Sequence, residues 1–159
     1  MAEYVYNPVQ LVQPNQPVLL RDSIPCNKGY VYHREESGIL TLRGIVNNSC
    51  GCFARYQVTF NGNIAIPDGG TAPAPIAIAL AIDGEPILTS RAIVTPAVTA
   101  ADPPTTENFF NVTSTAIITI PRCCCENVSV ENVSEPLTPA TPAPAILVQN
   151  ANLTVTRIA

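Results

Sequence analysis

Apolar and polar residues alternate with a period of two along most of this chain, as strands with one buried face require. The clearest run is residues 53–60 (FARYQVTF), where Ala54, Tyr56, Val58 and Phe60 share one face and Arg55, Gln57 and Thr59 the other. Between Gly38 and Gly44, Ile39, Thr41 and Arg43 alternate with Leu40 and Leu42. Residues 76–82 (IAIALAI) set large apolar residues against alanines. The Asp83-Gly84 pair that follows predicts a hairpin turn into Pro86-Ile87-Leu88. A long strand is predicted within 109–120, a short one over 127–131, and a last central strand over 146–158 carrying Leu153 and Val155. Shorter strands are expected at 16–20, 30–33 and 92–95. Asn61-Gly62-Asn63 carries turn chemistry and predicts a turn after Phe60.

Sixteen prolines are spread through the chain, which excludes long helices and confines the strands to short segments between loops. Cys26-Asn27-Lys28-Gly29 reads as a turn. Residues 68–75, 96–106 and the low-complexity stretch 137–145 read as loops. Residues 1–15 read as an extended N-terminal arm, apolar but broken by Pro8 and Pro14, ahead of one domain over 16–159. The expected fold is all-β: an eight- to ten-stranded, two-sheet jelly-roll sandwich.

Composition adds a hint of assembly. Charged residues are only 13% of the chain and hydrophobic ones 47%, so part of the surface is expected to be covered by other chains. The net charge of −4, a single lysine (Lys28) and the lack of a basic stripe argue against a nucleic-acid partner. No apolar run reaches the roughly 18 residues of a membrane-spanning helix. The first residues lack the pattern of a secretory signal, so none is expected. Sequons at Asn47, Asn111, Asn127, Asn132 and Asn152 are accordingly read as strand and turn residues, not glycan sites.

Six cysteines are the one chemically loud feature: Cys26, Cys50, Cys52, Cys123, Cys124 and Cys125. Three readings stay open. They form disulfides within or between subunits, they are buried thiols, or Cys50, Cys52, Cys123 and Cys125 converge on a metal. The C-x-C spacing departs from the usual C-x₂-C knuckle, so no metal or cofactor is assigned. His33, the only histidine, sits in a charged stretch that reads as a solvated turn. No nucleophile motif accompanies it, so no catalytic residue is assigned. Asp68-Gly69-Gly70 and Asp83-Gly84-Glu85 lack the spaced carboxylates of a calcium loop and read as turns. Tyr56, Phe60, Phe109 and Phe110 are the candidates for the core or a subunit contact.

Several strings carry a resemblance: Ala54-Arg-Tyr-Gln-Val-Thr-Phe60 with Asn61-Gly62-Asn63, Leu80-Ala-Ile-Asp-Gly-Glu-Pro86, Val128-Ser-Val-Glu-Asn132, and Val148 to Val155 (VQNANLTV). From about Gly29 to Ala159 the chain resembles the C1q/TNF-like jelly-roll modules of phage head-fibre and decoration proteins and of bacterial collagen-like surface proteins. The resemblance implies a homotrimer packed about a threefold axis. No Gly-X-Y repeat precedes the module, and the apolar arm there points instead to a virion protein. The expected function is therefore a non-catalytic structural virion protein on the capsid exterior, a trimeric decoration or head-fibre module. Residues 1–15 are expected to dock on a major capsid or other shell protein. The alternative is a receptor- or carbohydrate-binding head on a phage fibre or a bacterial cell or spore surface. It would read a host ligand through the loops at 68–75, 96–107 and 136–145. A cupin-like metalloenzyme needs several histidine and carboxylate ligands, which one histidine cannot supply.

Overall fold

The alternation seen in the sequence becomes two facing antiparallel sheets. The structure, a computed structural model, describes residues 1–24, 29–34, 36–46, 51–67, 75–96 and 109–159. Among these residues lie β1 (Ala2–Tyr6), β2 (Gln10–Val12), β3 (Asp22–Ile24), β4 (Val31–His33), β5 (Leu40–Arg43) and β6 (Phe53–Ala65). They are followed by β7 (Ile76–Ile82), β8 (Glu85–Pro86), β9 (Ala92–Val94), β10 (Phe110–Pro121), β11 (Cys125–Asn132) and β12 (Ile146–Arg157). One 3₁₀ turn, Leu88–Ser90, is the only helical element among the described residues. The count exceeds the expected eight to ten because β2, β3, β8 and β9 are only two or three residues long.

The first sheet has the order β10-β6-β12-β1-β3, with β2 also on β12; the second has β4-β5-β11-β7-β8, with β9 on β7. The chain crosses between the sheets from β3 to β4, β5 to β6, β6 to β7, β9 to β10, β10 to β11 and β11 to β12. Such alternation is how a jelly roll seals one core with two sheets. Tyr4, Tyr56, Phe60 and Leu153 enter that core from the first sheet, and Leu42, Ile78, Leu80 and Val130 from the second. The Asp83-Gly84 hairpin is present, with φ of 50° and 82° at the two residues, the left-handed pair of a type I′ turn.

Three expectations need correction. Residues 1–15 are not an extended arm. β1 lies inside the first sheet between β12 and β3, and Ala2, Tyr4 and Val12 are buried in the core. The alternation Ala2/Tyr4 is a strand signal that Pro8 and Pro14 obscured, since both prolines fall outside β1 and β2. Asn61-Gly62-Asn63 is not a turn either. β6 runs through it unbroken, paired with β10 and β12. The residues expected as a strand at 16–20 form only a bridge, Pro17 to Glu131. Ladder bonds tie Val18 N–H to Val130 O at 2.7 Å and Asn15 N–H to Asn132 O at 2.8 Å. This first stretch thus passes from one sheet to the other and back.

Candidate functional surface

The outward positions of β6, β10 and β12 form a broad face with little charge. Register stacks them in rows: Thr115, Thr59 and Thr154 in one, Thr113, Asn61 and Asn152 in the next, Ile117, Gln57 and Thr156 in a third. Thr115 Oγ1 donates to Thr59 Oγ1 at 3.2 Å, Asn61 Nδ2 to Thr113 Oγ1 at 2.9 Å, and Asn111 Nδ2 to Asn63 Oδ1 at 3.1 Å. Arg55 is the only charged side chain facing outward from these three strands, and its guanidinium lies over the Phe53 ring, 4.8 Å from the centroid. Ile117 stands 65% exposed within the rows. Side chains already tied to one another present a pre-ordered surface, which loses little rotamer freedom when another surface covers it.

The aromatic candidates divide. Tyr56 and Phe60 are fully buried core residues, and the Tyr56 hydroxyl crosses the sandwich to donate to Arg43 O, with Tyr30 O at 3.4 Å. Phe109 and Phe110 are half-buried at the start of β10. Tyr56 and Phe60 therefore lie off any subunit contact.

The described cysteines gather at one end of the sandwich. β10 ends at Pro121 in the first sheet and β11 begins at Cys125 in the second, so Arg122, Cys123 and Cys124 bridge the two over the core's end. Cys123 takes a left-handed φ of 65°. Arg122 N–H donates to Cys52 O at 2.8 Å, Cys123 N–H to Gly44 O at 3.1 Å, and Gly44 N–H to Cys124 O at 2.8 Å. Cys52, Cys123, Cys124 and Cys125 are all exposed, against the buried-thiol reading. Cys26 and Cys50 lie outside the described residues. Among the described residues no three metal-ligating side chains are grouped to hold an ion.

His33 lies on β4, not in a solvated turn. Its ring centroid is 4.9 Å from that of Tyr4, and Nε2 faces Ser37 O at 2.9 Å, so that nitrogen carries the hydrogen. A cleft of about 520 Å³ opens beside it, lined by Arg21, Asp22, Ser23, Tyr32 and Glu36 among others, with Tyr32 60% exposed. Sequence reasoning missed this cleft because its walls come from β3 and β4, on opposite sheets. In the turn between β7 and β8, Asp83 shares a hydrogen bond with Glu126 of β11 that holds Asp83 below and Glu126 above the ordinary carboxylate range. Asn127 N–H and Nδ2 also reach Asp83 Oδ1, at 3.2 and 3.0 Å, so the Asp83 carboxylate serves the hairpin. Asp68-Gly69-Gly70 lies outside the described residues.

No model of a protein family and no curated protein sequence matches the chain. Solved structures do. The globular domain of zebrafish complement 1qA protein matches with a TM-score of 0.53 at 13% identity, over 99% of this chain and 97% of that one. Eiger TNF from S. frugiperda matches with a TM-score of 0.57 at 10% identity, over 100% and 92%. The fold is a C1q/TNF-like jelly roll. At these identities the likeness concerns the fold alone.

Proposed function

We propose that this C1q/TNF-like jelly roll is a non-catalytic, self-associating module, a homotrimer that decorates a larger particle, in the first instance the exterior of a virion. The observation that carries the reading is the outer face of β6, β10 and β12, whose only charged side chain is Arg55. A second copy covers such a face without desolvating many ions, and desolvation is the main cost of burying a polar surface. The low charge content of the whole chain, 13%, supports the same reading. Attachment to a shell protein falls to the part of residues 1–15 that stays outside the core, where Val9 and Leu11 are 45% and 56% exposed. Light scattering after size exclusion tests the assembly. A mass near three times 16.9 kDa is expected, and a single-chain mass at high concentration overturns the proposal.

A second reading, a carbohydrate-binding head, is favoured by the cleft beside His33. An exposed tyrosine beside Arg21, Asp22 and Glu36 combines an aromatic platform with the planar hydrogen-bonding groups that sugars use. Of the loops expected to read a ligand, 136–145 is largely exposed, whereas 68–74 and 97–108 lie outside the described residues. A glycan array with wild type and Tyr32→Ala separates the readings. Binding lost in the variant supports the head module.

A further inference from the structure

We infer that the cysteine-bearing end of the sandwich is a covalent attachment site through which one copy of this chain is joined to another by disulfides. Cys125 opens β11 in the second sheet, and its register partner across the ladder is Arg43, not a cysteine. Cys52 leads into β6 in the first sheet, and its carbonyl is held by Arg122 N–H. No disulfide joins Cys123, Cys124 or Cys125 to another described cysteine.

Cys123, Cys124 and Cys125 are consecutive in the turn from β10 into β11, where Cys123 takes a left-handed φ of 65°. Backbone bonds to Gly44, Pro121 and Cys52 hold the connection in place, so it does not swing to bring these thiols together. Gly44 is part of that clamp, because a Cβ there would run into the Pro121 carbonyl. The result is three thiols exposed on a rigid end, facing solvent. Arg43 lies across the ladder from Cys125, and Arg122 and Glu126 bracket the three cysteines in the chain.

The oxidant is a low-molecular-weight disulfide, R–S–S–R. A thiolate of the chain attacks one of its sulfurs, forming a protein–S–S–R bond and releasing RS⁻. A thiolate of a second copy then attacks the protein sulfur, forming the protein–protein disulfide and releasing the second RS⁻. Two thiols are oxidised, one disulfide is reduced to two thiols, and the two protons pass to the released thiolates.

The test uses the full chain, reduced, desalted and incubated with glutathione disulfide. Denaturing, non-reducing electrophoresis is expected to show multiples of 16.9 kDa that collapse on adding reductant. The diagnostic product is the peptide bearing Cys123, Cys124 and Cys125 linked to a second copy of itself, which no intrachain bond can produce. The triple variant C123S/C124S/C125S is expected to stay at single-chain mass, while Cys52→Ser still cross-links. The inference is overturned if the wild type stays at single-chain mass, with these thiols capped by glutathione or bridged to Cys26, Cys50 or Cys52. Native mass under reducing conditions reads the non-covalent trimer separately, so the two proposals fail independently.

Discussion

Gly62 sits over the edge of the Phe60 ring: a Cβ built on Gly62 would lie 2.8 Å from Phe60 Cζ, closer than carbon atoms approach. Both residues face the core from β6, and Phe60 is fully buried. The glycine is there for want of a side chain, which lets the ring fill the space beneath it.

Gly62→Ala is therefore expected to destabilise the fold by about 1–3 kcal/mol through overpacking. A fall in the urea midpoint at unchanged slope is the readout, and an unchanged midpoint would show that the ring moves aside freely.

The same pair explains where sequence reasoning stopped. Asn-Gly between apolar runs is a strong hairpin signal, and only the identity of the atom above Gly62 shows that it is a packing glycine. Local chemistry sufficed for Asp83-Gly84, where nothing crowds the turn: no atom lies within 4 Å of a Cβ on Gly84. β1 was hidden for a related reason, since its pairing partner β12 lies at the other end of the chain. Of the candidate surface, the alternation within β6 and β12 was legible, but not the rows of Thr and Asn that their register creates. The cysteines stood out by type, while their common end depends on the crossing from β10 to β11.

Tyr56 ties the sheets together through its hydroxyl, which donates to Arg43 O from the opposite sheet. Tyr56→Phe leaves that buried contact unmade and is expected to cost about 1–3 kcal/mol. Chemical denaturation measures it. A neutral outcome would mean that water replaces the hydroxyl.

Asn132 is fully buried, its Nδ2 donating to Val12 O and Pro144 O at 3.0 Å each while Oδ1 accepts Ser134 N–H at 3.0 Å. It pins β2 and the proline-rich segment before β12 to the end of β11. Asn132→Asp sets a carboxylate oxygen against two carbonyls and is expected to cost more than Asn132→Ala, reversing the usual penalty for removing a polar side chain. Comparing the two variants by thermal denaturation decides it. The same burial predicts that Asn132 stays unglycosylated in a eukaryotic secretory host, while the exposed Asn111 and Asn127 sequons are reachable.

The Asp83–Glu126 pair makes part of the stability depend on pH. Asp83, held low chiefly by its hydrogen bond with Glu126, contributes stability above its unfolded value and loses it as pH falls through its depressed folded value. Glu126 is raised chiefly by the same bond. Its contribution is complete below its unfolded value and is lost as pH rises through its folded value. The pair therefore supports the hairpin most in mild acid, with Asp83 charged and Glu126 protonated, and less near neutrality. Glu126→Gln keeps a neutral donor at every pH. It is expected to flatten the fall in the urea midpoint as pH rises above the ordinary glutamate value. An equal fall in wild type and variant would place the pH dependence elsewhere.

Ile117 offers the sharpest test of the proposed assembly face. It is 65% exposed on β10, whereas its neighbour Ile118 is 2% exposed and faces the core. An aspartate at position 117 meets water in the single chain, so the stability of that chain should change by no more than about 0.5 kcal/mol. In a trimer packed through this face the same aspartate is buried once per subunit without a cationic partner, a cost of several kcal/mol each. Ile117→Asp is therefore expected to reduce the native mass to one chain while leaving the far-ultraviolet circular dichroism unchanged. Ile118→Asp, by contrast, should unfold the chain. If Ile117→Asp keeps the wild-type oligomeric mass, the rows of β6, β10 and β12 are not the contact, and the self-association must be sought on the second sheet or at the edges.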